Sequence, residues 1–279
     1  MDIAPDGGKQ SNLTTRILSA LVLAPVALAL TWAGDWPFAA LLAVASVAMA
    51  FELSALLPGG TAGDRALLAA SGLAVVAIAA SGLSLVALLA GAAGLLLALA
   101  FRIWRGGPVW APLLAYPYLV LPVAALLWLR LDPLLGRAAV FWLLGIVWAT
   151  DIFAYFAGRT IGGPKIAPRL SPKKTWAGLI GGMIGAAAVG FGTSLWLGVG
   201  SPAMLALFSA LLAIVAQAGD FLESALKRRA GVKDSGKLIP GHGGILDRVD
   251  GLVAAAVGAA LLALIHAAAS PGAGVLIWP

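Results

Sequence analysis

The sequence predicts an all-α, polytopic integral membrane protein, and three observations carry that prediction. The 279 residues are 61% hydrophobic and only 11% charged, with a mean hydropathy of +1.00, whereas soluble domains are roughly a quarter charged. Its apolar runs are long enough to cross a hydrocarbon core of ~30 Å, which needs about 20 residues per helix. Once those runs are drawn as helices, the basic residues sort almost wholly to one side.

Nine spans are expected, at 16–33, 37–57, 65–81, 83–101, 111–129, 138–158, 177–198, 202–219 and 250–268. The first follows Lys9 and Arg16, and its apolar run from Ile17 to Trp32 exceeds the ~15 residues usual for a signal peptide core, so it is read as a retained helix. The second closes at the Pro58-Gly59-Gly60 break. No charge interrupts the chain between Arg65 and Arg102, and one helix over that run would measure about 54 Å, too long for a single span. Ser81-Gly82 is the reversal that makes two helices of it. Arg130 ends the fifth span, Arg137 and Arg159 bracket the sixth, and the polar stretch SPKKTW precedes the seventh. Asp220 closes the eighth, and the ninth follows the polar run that ends at Asp250.

With the N-terminus cytoplasmic, every Lys and Arg except Arg130 and Arg137 falls inside, as the positive-inside rule requires. Merging the third and fourth helices would place the most basic loops outside, so topology supports the split independently of length. The chain reads as one membrane domain, 1–279, in which 1–130 are N-terminal helices and 131–279 carry the polar chemistry in two cytoplasmic loops, 159–176 and 220–249. There is no Cys, which excludes disulfides, thiolate metal sites and cysteine nucleophiles. The net charge of +6 is assigned to topology and anionic lipid, and no nucleic-acid partner is expected.

Five of the 12 acids, Asp220, Glu223, Asp234, Asp247 and Asp250, lie in GDFLESALKRRAGVKDSGKLIPGHGGILDRVD. If the eighth helix continues past Asp220 and the ninth begins near Ile245, Asp220 with Glu223, and Asp247 with Asp250, share helix faces at i, i+3. Such hard oxygen ligands suit Mg²⁺, which takes one or two carboxylates and completes its shell with water and substrate phosphates. Lys227, Arg228, Lys233, Lys237 and Arg248 are interleaved with them, as a phosphate-handling site requires; each alone would be read as a loop anchor. Gly243 and Gly244 let main-chain N–H groups approach a phosphate. His242 is read as a group that positions or contacts phosphate, or as a turn residue, and His266 as structural. Asp151, an acid within a span, is functional by default, whereas Glu52 is a weaker candidate placed in the interface.

The run SALKRRAGVKDSGKLIPGHGGILDRVD, from Ser224 to Asp250, resembles the signature of phosphatidate cytidylyltransferases, the CDP-diacylglycerol synthases. Its Ser-x-x-Lys-Arg start, Lys-Asp pair, Pro-x-His-Gly-Gly centre and Asp-Arg-x-Asp end stand in the family's order and spacing. The likeness extends to residues 151–182 and so covers about the C-terminal half. Ala177 stands where the family often has Glu. The resemblance implies cytidylyl transfer from CTP to phosphatidic acid at the cytoplasmic face of the inner membrane, with Mg²⁺ as cofactor and room for a two-ion site. Asp220 and Asp247 are implied as metal ligands, with Glu223 and Asp234 in support. Asp250, Arg248, Lys237 and His242 join Asp220 and Asp247 in the catalytic set. Ser171, Lys173, Lys174 and Thr175 offer hydroxyl and ammonium groups to phosphate; with Lys227, Arg228, Lys233, Gly243, Gly244 and Asp151 they form the expected substrate-binding set. A homodimer is an expectation that the resemblance alone carries.

Rival readings make distinct demands. A metal or anion transporter could line an ion path with Asp151, Asp220 and Asp247, but the chain has no evident internal repeat. A CDP-alcohol phosphotransferase would need an Asp-Gly-x-x-Ala-Arg signature, which is absent. A membrane scaffold would tolerate loss of Asp247.

Overall fold

The computed structural model describes residues 7–241, 243–266 and 268–279. Among them are α1 (Gly7–Ala33), α2 (Asp35–Leu56), α3 (Ala62–Ala80), α4 (Ser84–Trp104), α5 (Trp110–Arg130), α6 (Gly136–Thr160), α7 (Trp176–Leu197), α8 (Pro202–Arg229), α9 (Leu246–His266) and a short α10 (Pro271–Leu276). Extended structure is limited, among the described residues, to two isolated bridges, Lys165 with Thr175 and Ile239 with Gly243. Eight helices, α2 to α9, are long and apolar enough to cross a membrane. The described apolar part of α1 is Leu21–Ala33.

The third and fourth spans separate where expected. Ser81 caps α3, and Gly82 takes φ +81° with open space where a Cβ would lie, so glycine there makes the reversal without strain. Two expected boundaries are wrong. The eighth helix does not stop at 219 but runs to Arg229. Lys227, Arg228 and Arg229 in its last turn suit the negative end of the helix dipole, and Lys227 pairs with Glu223 at i, i+4. The ninth begins at Leu246 rather than 250, because a carboxylate from another helix caps it, as described below. The polar loop therefore shrinks to 230–245.

In a bilayer, helices associate through close packing, so small residues mark the seams. On α7, a Cβ at Gly181 would overlap Ala157, one at Gly182 would stand 2.9 Å from the Thr150 carbonyl, and one at Gly185 would stand 2.7 Å from the Phe153 ring. These glycines let α7 lie directly on α6. α8 follows against α7, and α9 against α8. α5 occupies the centre, touching α2, α3, α4, α6 and α9, and buries Leu119, Leu127 and Leu129 completely. Pro117 and Pro122 lie inside it, tolerated because neighbouring helices surround the backbone groups they free.

Two polar clamps close the ends. At one, Asp64 completes a capping box with Thr61 and pairs with Arg102, whose guanidinium also donates to the carbonyls of Pro58 and Gly59. At the other, Asp132 accepts from the N–H groups of Leu134, Leu135 and Gly272, which ties the α5–α6 turn to α10. The Asp64–Arg102 clamp thus lies at the end of α2 that carries Glu52, the same end to which the 230–245 loop is tied.

Candidate active site

The extension of α8 and the early start of α9 bring two carboxylate pairs together. Asp220 and Glu223 sit on α8, Asp247 and Asp250 on the first turns of α9. The helices touch closely: a Cβ on Gly219 would stand 2.6 Å from the Asp250 carbonyl, and one on Gly251 would stand 3.0 Å from Asp220 Oδ1. Asp250 feels the charges of Asp220, Glu223 and Lys174, and Asp151 on α6 feels those of Asp220, Lys174 and Arg248. The 161–175 loop sends Lys174 into this cluster, and the last turn of α8 adds Lys227.

Lys174 Nζ lies 2.5 Å from Asp220 Oδ2 and 4.8 Å from the centre of the Phe221 ring. Lys227 Nζ lies 2.6 Å from Asp247 Oδ1 and 2.6 Å from Glu223 Oε2. Glu223 is 1% exposed, and this ammonium is its ion-pair partner. Asp247 is the best-held acid: its Oδ2 accepts from Ser235 N at 2.9 Å, Ser235 Oγ at 3.0 Å and Gly244 N at 2.8 Å. Those contacts and the Lys227 ammonium hold that carboxylate in place.

The residue that organises the 230–245 loop is Glu52, which sequence reasoning set aside as an interfacial acid. Glu52 is 4% exposed near the end of α2, enclosed by the protein. Its Oε1 accepts from Ile245 N at 2.9 Å, and its Oε2 accepts from Leu246 N at 2.9 Å and Ser235 Oγ at 2.9 Å. Glu52 thus supplies from α2 the cap that α9 lacks in its own sequence. Ser235 Oγ, which has a single hydrogen, lies within donating distance of both Glu52 Oε2 and Asp247 Oδ2 and is shared between them. The loop can come this close because Gly236 and Gly244 have no side chain: a Cβ on Gly236 would lie 2.6 Å from Glu52 Oε1, and one on Gly244 would overlap Ser235 Oγ and Glu52. The clue in the sequence was an acid inside an apolar run, AMAFELSALL, which has the same default reading as Asp151.

The remaining expected residues divide between the cluster and its rim. Lys173, Lys174 and Thr175 line a pocket of about 200 Å³ with Asp151 and Gln217. Thr175 Oγ1 accepts from Gly178 N at 3.0 Å and caps α7. Ser171 sits in the tight turn whose carbonyl accepts from Lys174 N. Arg248 is exposed on the first turn of α9, on the side of Asp151. Arg228 donates to the Val232 carbonyl, while Lys233, Asp234 and Lys237 are exposed on the loop. The N–H of Gly244 serves Asp247, and Gly243, at φ +86°, faces Asp247 at 2.8 Å from its would-be Cβ. His242 lies outside the described residues.

The donors are all hard oxygens, and among the described residues no three acids or histidines close on one point. That set fits Mg²⁺, which takes one or two carboxylates and leaves its other positions to water and phosphate. Tyr118 was not singled out from sequence. Its hydroxyl is buried, has no hydrogen-bond partner among the described residues, and lies in the field of Glu223, Asp250, Asp220 and Asp247.

Residues 14–266 match the sequence model of the Cytidylyltransferase family. The chain belongs to that family. It is similar to the phosphatidate cytidylyltransferase of Brucella abortus, 41% identical over 251 residues that cover 88% of this chain and 91% of that protein. The phosphatidate cytidylyltransferase of Haemophilus influenzae is 39% identical over 175 residues, 58% of this chain and 61% of its own. That of Helicobacter pylori is 43% identical over 123 residues, 44% and 46% of the two chains. The family model spans every helix from α2 to α9, so the likeness is not confined to the C-terminal half in which the motifs stand.

Proposed function

We propose that this member of the cytidylyltransferase family transfers the cytidylyl group of CTP to phosphatidic acid, giving CDP-diacylglycerol and pyrophosphate in phospholipid synthesis. The observation that carries the reading is the meeting of the α8 and α9 carboxylates with Lys174 and Lys227, in a chain that matches the Brucella abortus phosphatidate cytidylyltransferase over 91% of that protein's length. A phosphate oxygen of phosphatidate forms a bond to the α-phosphorus of CTP. The bond from that phosphorus to the bridging oxygen breaks, and pyrophosphate leaves with the electron pair. The attacking phosphate is already ionised, so neither a protein nucleophile nor a general base is needed.

The residues supply charge and position. Lys174 and Lys227 place ammonium groups where two polyanions must approach each other, and Lys173 and Arg248 extend that field to the rim. Asp151 and Gln217, beside Lys174 in the pocket of about 200 Å³, offer polar contacts to the nucleotide. Asp220 and Asp247 would hold Mg²⁺, with Glu223 behind them. When bound, the ion neutralises phosphate charge and stabilises the leaving pyrophosphate. With the basic loops on the cytoplasmic side of the inner membrane, CTP arrives from the cytosol and phosphatidate from the adjoining leaflet.

Purified protein given labelled CTP, phosphatidate and Mg²⁺ is expected to release pyrophosphate and form CDP-diacylglycerol. No release, together with metal flux in liposomes, would replace the enzyme by a transporter, a reading that the family match and the named relatives do not favour. A homodimer, carried by resemblance alone, is checked by mass measurement in detergent.

A further inference from the structure

Beside the carboxylates runs an apolar furrow of about 550 Å³ between α5, α8 and α9. It begins at Trp110, over whose ring the Arg229 guanidinium sits at 4.3 Å, and follows α5 to Pro122, a rise of about 18 Å. That is a little over half of a hydrocarbon core of ~30 Å, the depth of one leaflet. Val257 closes this furrow and opens a second apolar pocket of about 320 Å³ farther along α5 and α9. A cation therefore stands at the rim, Tyr118 and Gly219 beside the carboxylates lie about 12 Å below it along α5, and apolar lining continues past Val257, which suits an anionic lipid whose chain points inward from that level.

Tyr118 gives the furrow a reason to be more than a crevice in the lipid-facing surface. Its ring lines the wall, the residue is only 7% exposed, and its hydroxyl has no acceptor among the described residues. A buried hydroxyl in an apolar wall is unfavourable unless an acceptor comes to it. The same hydroxyl lies in the field of Asp220, Glu223, Asp247 and Asp250, so it marks the junction between hydrocarbon and reaction site. A diacylglycerol phosphate whose headgroup is at those carboxylates places its ester and phosphate oxygens, all acceptors, at that junction.

We infer that the α5–α8–α9 furrow binds an acyl chain of the phosphatidate substrate, and that Tyr118 donates a hydrogen bond to an oxygen of its glycerol-phosphate portion. The inference rests on the proposed cytidylyl transfer. It assigns lipid selectivity to Val257 and the α5 wall, and it separates the lipid's subsite from the nucleotide pocket at Asp151.

The test compares dioleoyl and dihexanoyl phosphatidate in mixed micelles, with CTP varied separately, for the wild-type protein and for Tyr118→Phe, Val257→Phe and Val257→Ala. Tyr118→Phe, which removes one oxygen, is expected to raise KM about tenfold for both lipids, the worth of one hydrogen bond to a charged or ester acceptor, with KM for CTP unmoved. Val257→Phe is expected to raise KM at least ~5-fold for the long-chain lipid alone, and Val257→Ala to leave the short-chain lipid unaffected while changing the long-chain one. Equal effects of the Val257 variants on both chain lengths, or none, would mean that the furrow holds bulk bilayer lipid only. Unchanged lipid KM in Tyr118→Phe would remove the tyrosine from the subsite. Absence of turnover by the wild-type protein would instead defeat the proposed function on which the inference stands.

Discussion

Replacing Glu52 by Ala removes the acceptor for three donors at once, the N–H groups of Ile245 and Leu246 and the hydroxyl of Ser235, all at 2.9 Å. The hydroxyl keeps its second acceptor, Asp247. The two N–H groups, at the start of a helix whose Leu246 is fully buried, do not, and an unsatisfied buried donor costs roughly 1–3 kcal/mol. Glu52→Ala should therefore destabilise the loop and the first turn of α9 by about 2–6 kcal/mol, reduced where water enters the space. Glu52→Gln keeps one acceptor oxygen but turns the other into a donor facing a donor, so its cost should be about half as large. Limited proteolysis reads the effect directly, because Lys233 and Lys237 are exposed on the tethered loop and cleavage there tracks local opening. The expected order of cleavage rate is Ala, then Gln, then wild type, with turnover of CTP falling in parallel as Asp247 loses its support through Ser235. Cleavage and turnover unchanged in Glu52→Ala would refute the reasoning that this carboxylate caps α9.

Three further outcomes follow from the packing and electrostatics. Gly244→Ala places a methyl group into Ser235 Oγ and Glu52, so it should cost roughly 1–3 kcal/mol by overpacking and slow turnover; thermal unfolding in detergent beside a kinetic assay measures both. Gly185→Leu should spread α6 from α7, since even its Cβ would lie 2.7 Å from the Phe153 ring, and it should lower the unfolding temperature without acting on the carboxylates directly. Asp132 offers a pH test outside the spans. Burial pushes its carboxyl up, but the N–H of Leu135, the hydroxyl of Ser270 and the N–H groups of Gly272 and Leu134 outweigh that and hold it below the usual range. Its stabilisation is thus present above the unfolded value of ~3.9 and lost as pH falls through the lower folded value. Asp132→Asn should be less stable than wild type at pH 7, with the difference shrinking below pH ~4; a gap that widens on acidification would contradict the assignment.

Much of the fold was legible because hydropathy and charge act along the chain. The break at Ser81-Gly82 followed from length and from the side on which Arg102 must fall, and Gly82 takes the left-handed φ of +81° that such a turn uses. The carboxylate pairs were visible as i, i+3 spacings, since the geometry of one helix is local. What escaped was tertiary. Glu52 and its partners in the 230–245 loop are separated by more than 180 residues, and no periodicity reports a helix capped from across the bundle. The glycines of the PGHGG run were read as a phosphate cradle. The N–H of Gly244 is instead committed to Asp247, and the close approach that glycine permits is to Glu52. Asp234 shared the spacing and charge of the other acids but is exposed, because only the fold decides which side of a loop faces the cluster. Tyr118 was unremarkable among apolar neighbours until α5 was placed beside α8 and α9.

The account stands on Asp220 and Asp247 as the acids that bring metal and phosphates together. The direct measurement is the initial rate of CDP-diacylglycerol formation, with Mg²⁺ varied, for wild type, Asp220→Asn and Asp247→Asn, each shown by its thermal unfolding to retain the fold. Both variants are predicted to lose at least ~100-fold in kcat, a barrier increase of about 2.7 kcal/mol, with saturation by Mg²⁺ weakened or abolished. Turnover within a few-fold of wild type in either folded variant, with the same dependence on Mg²⁺, would contradict it.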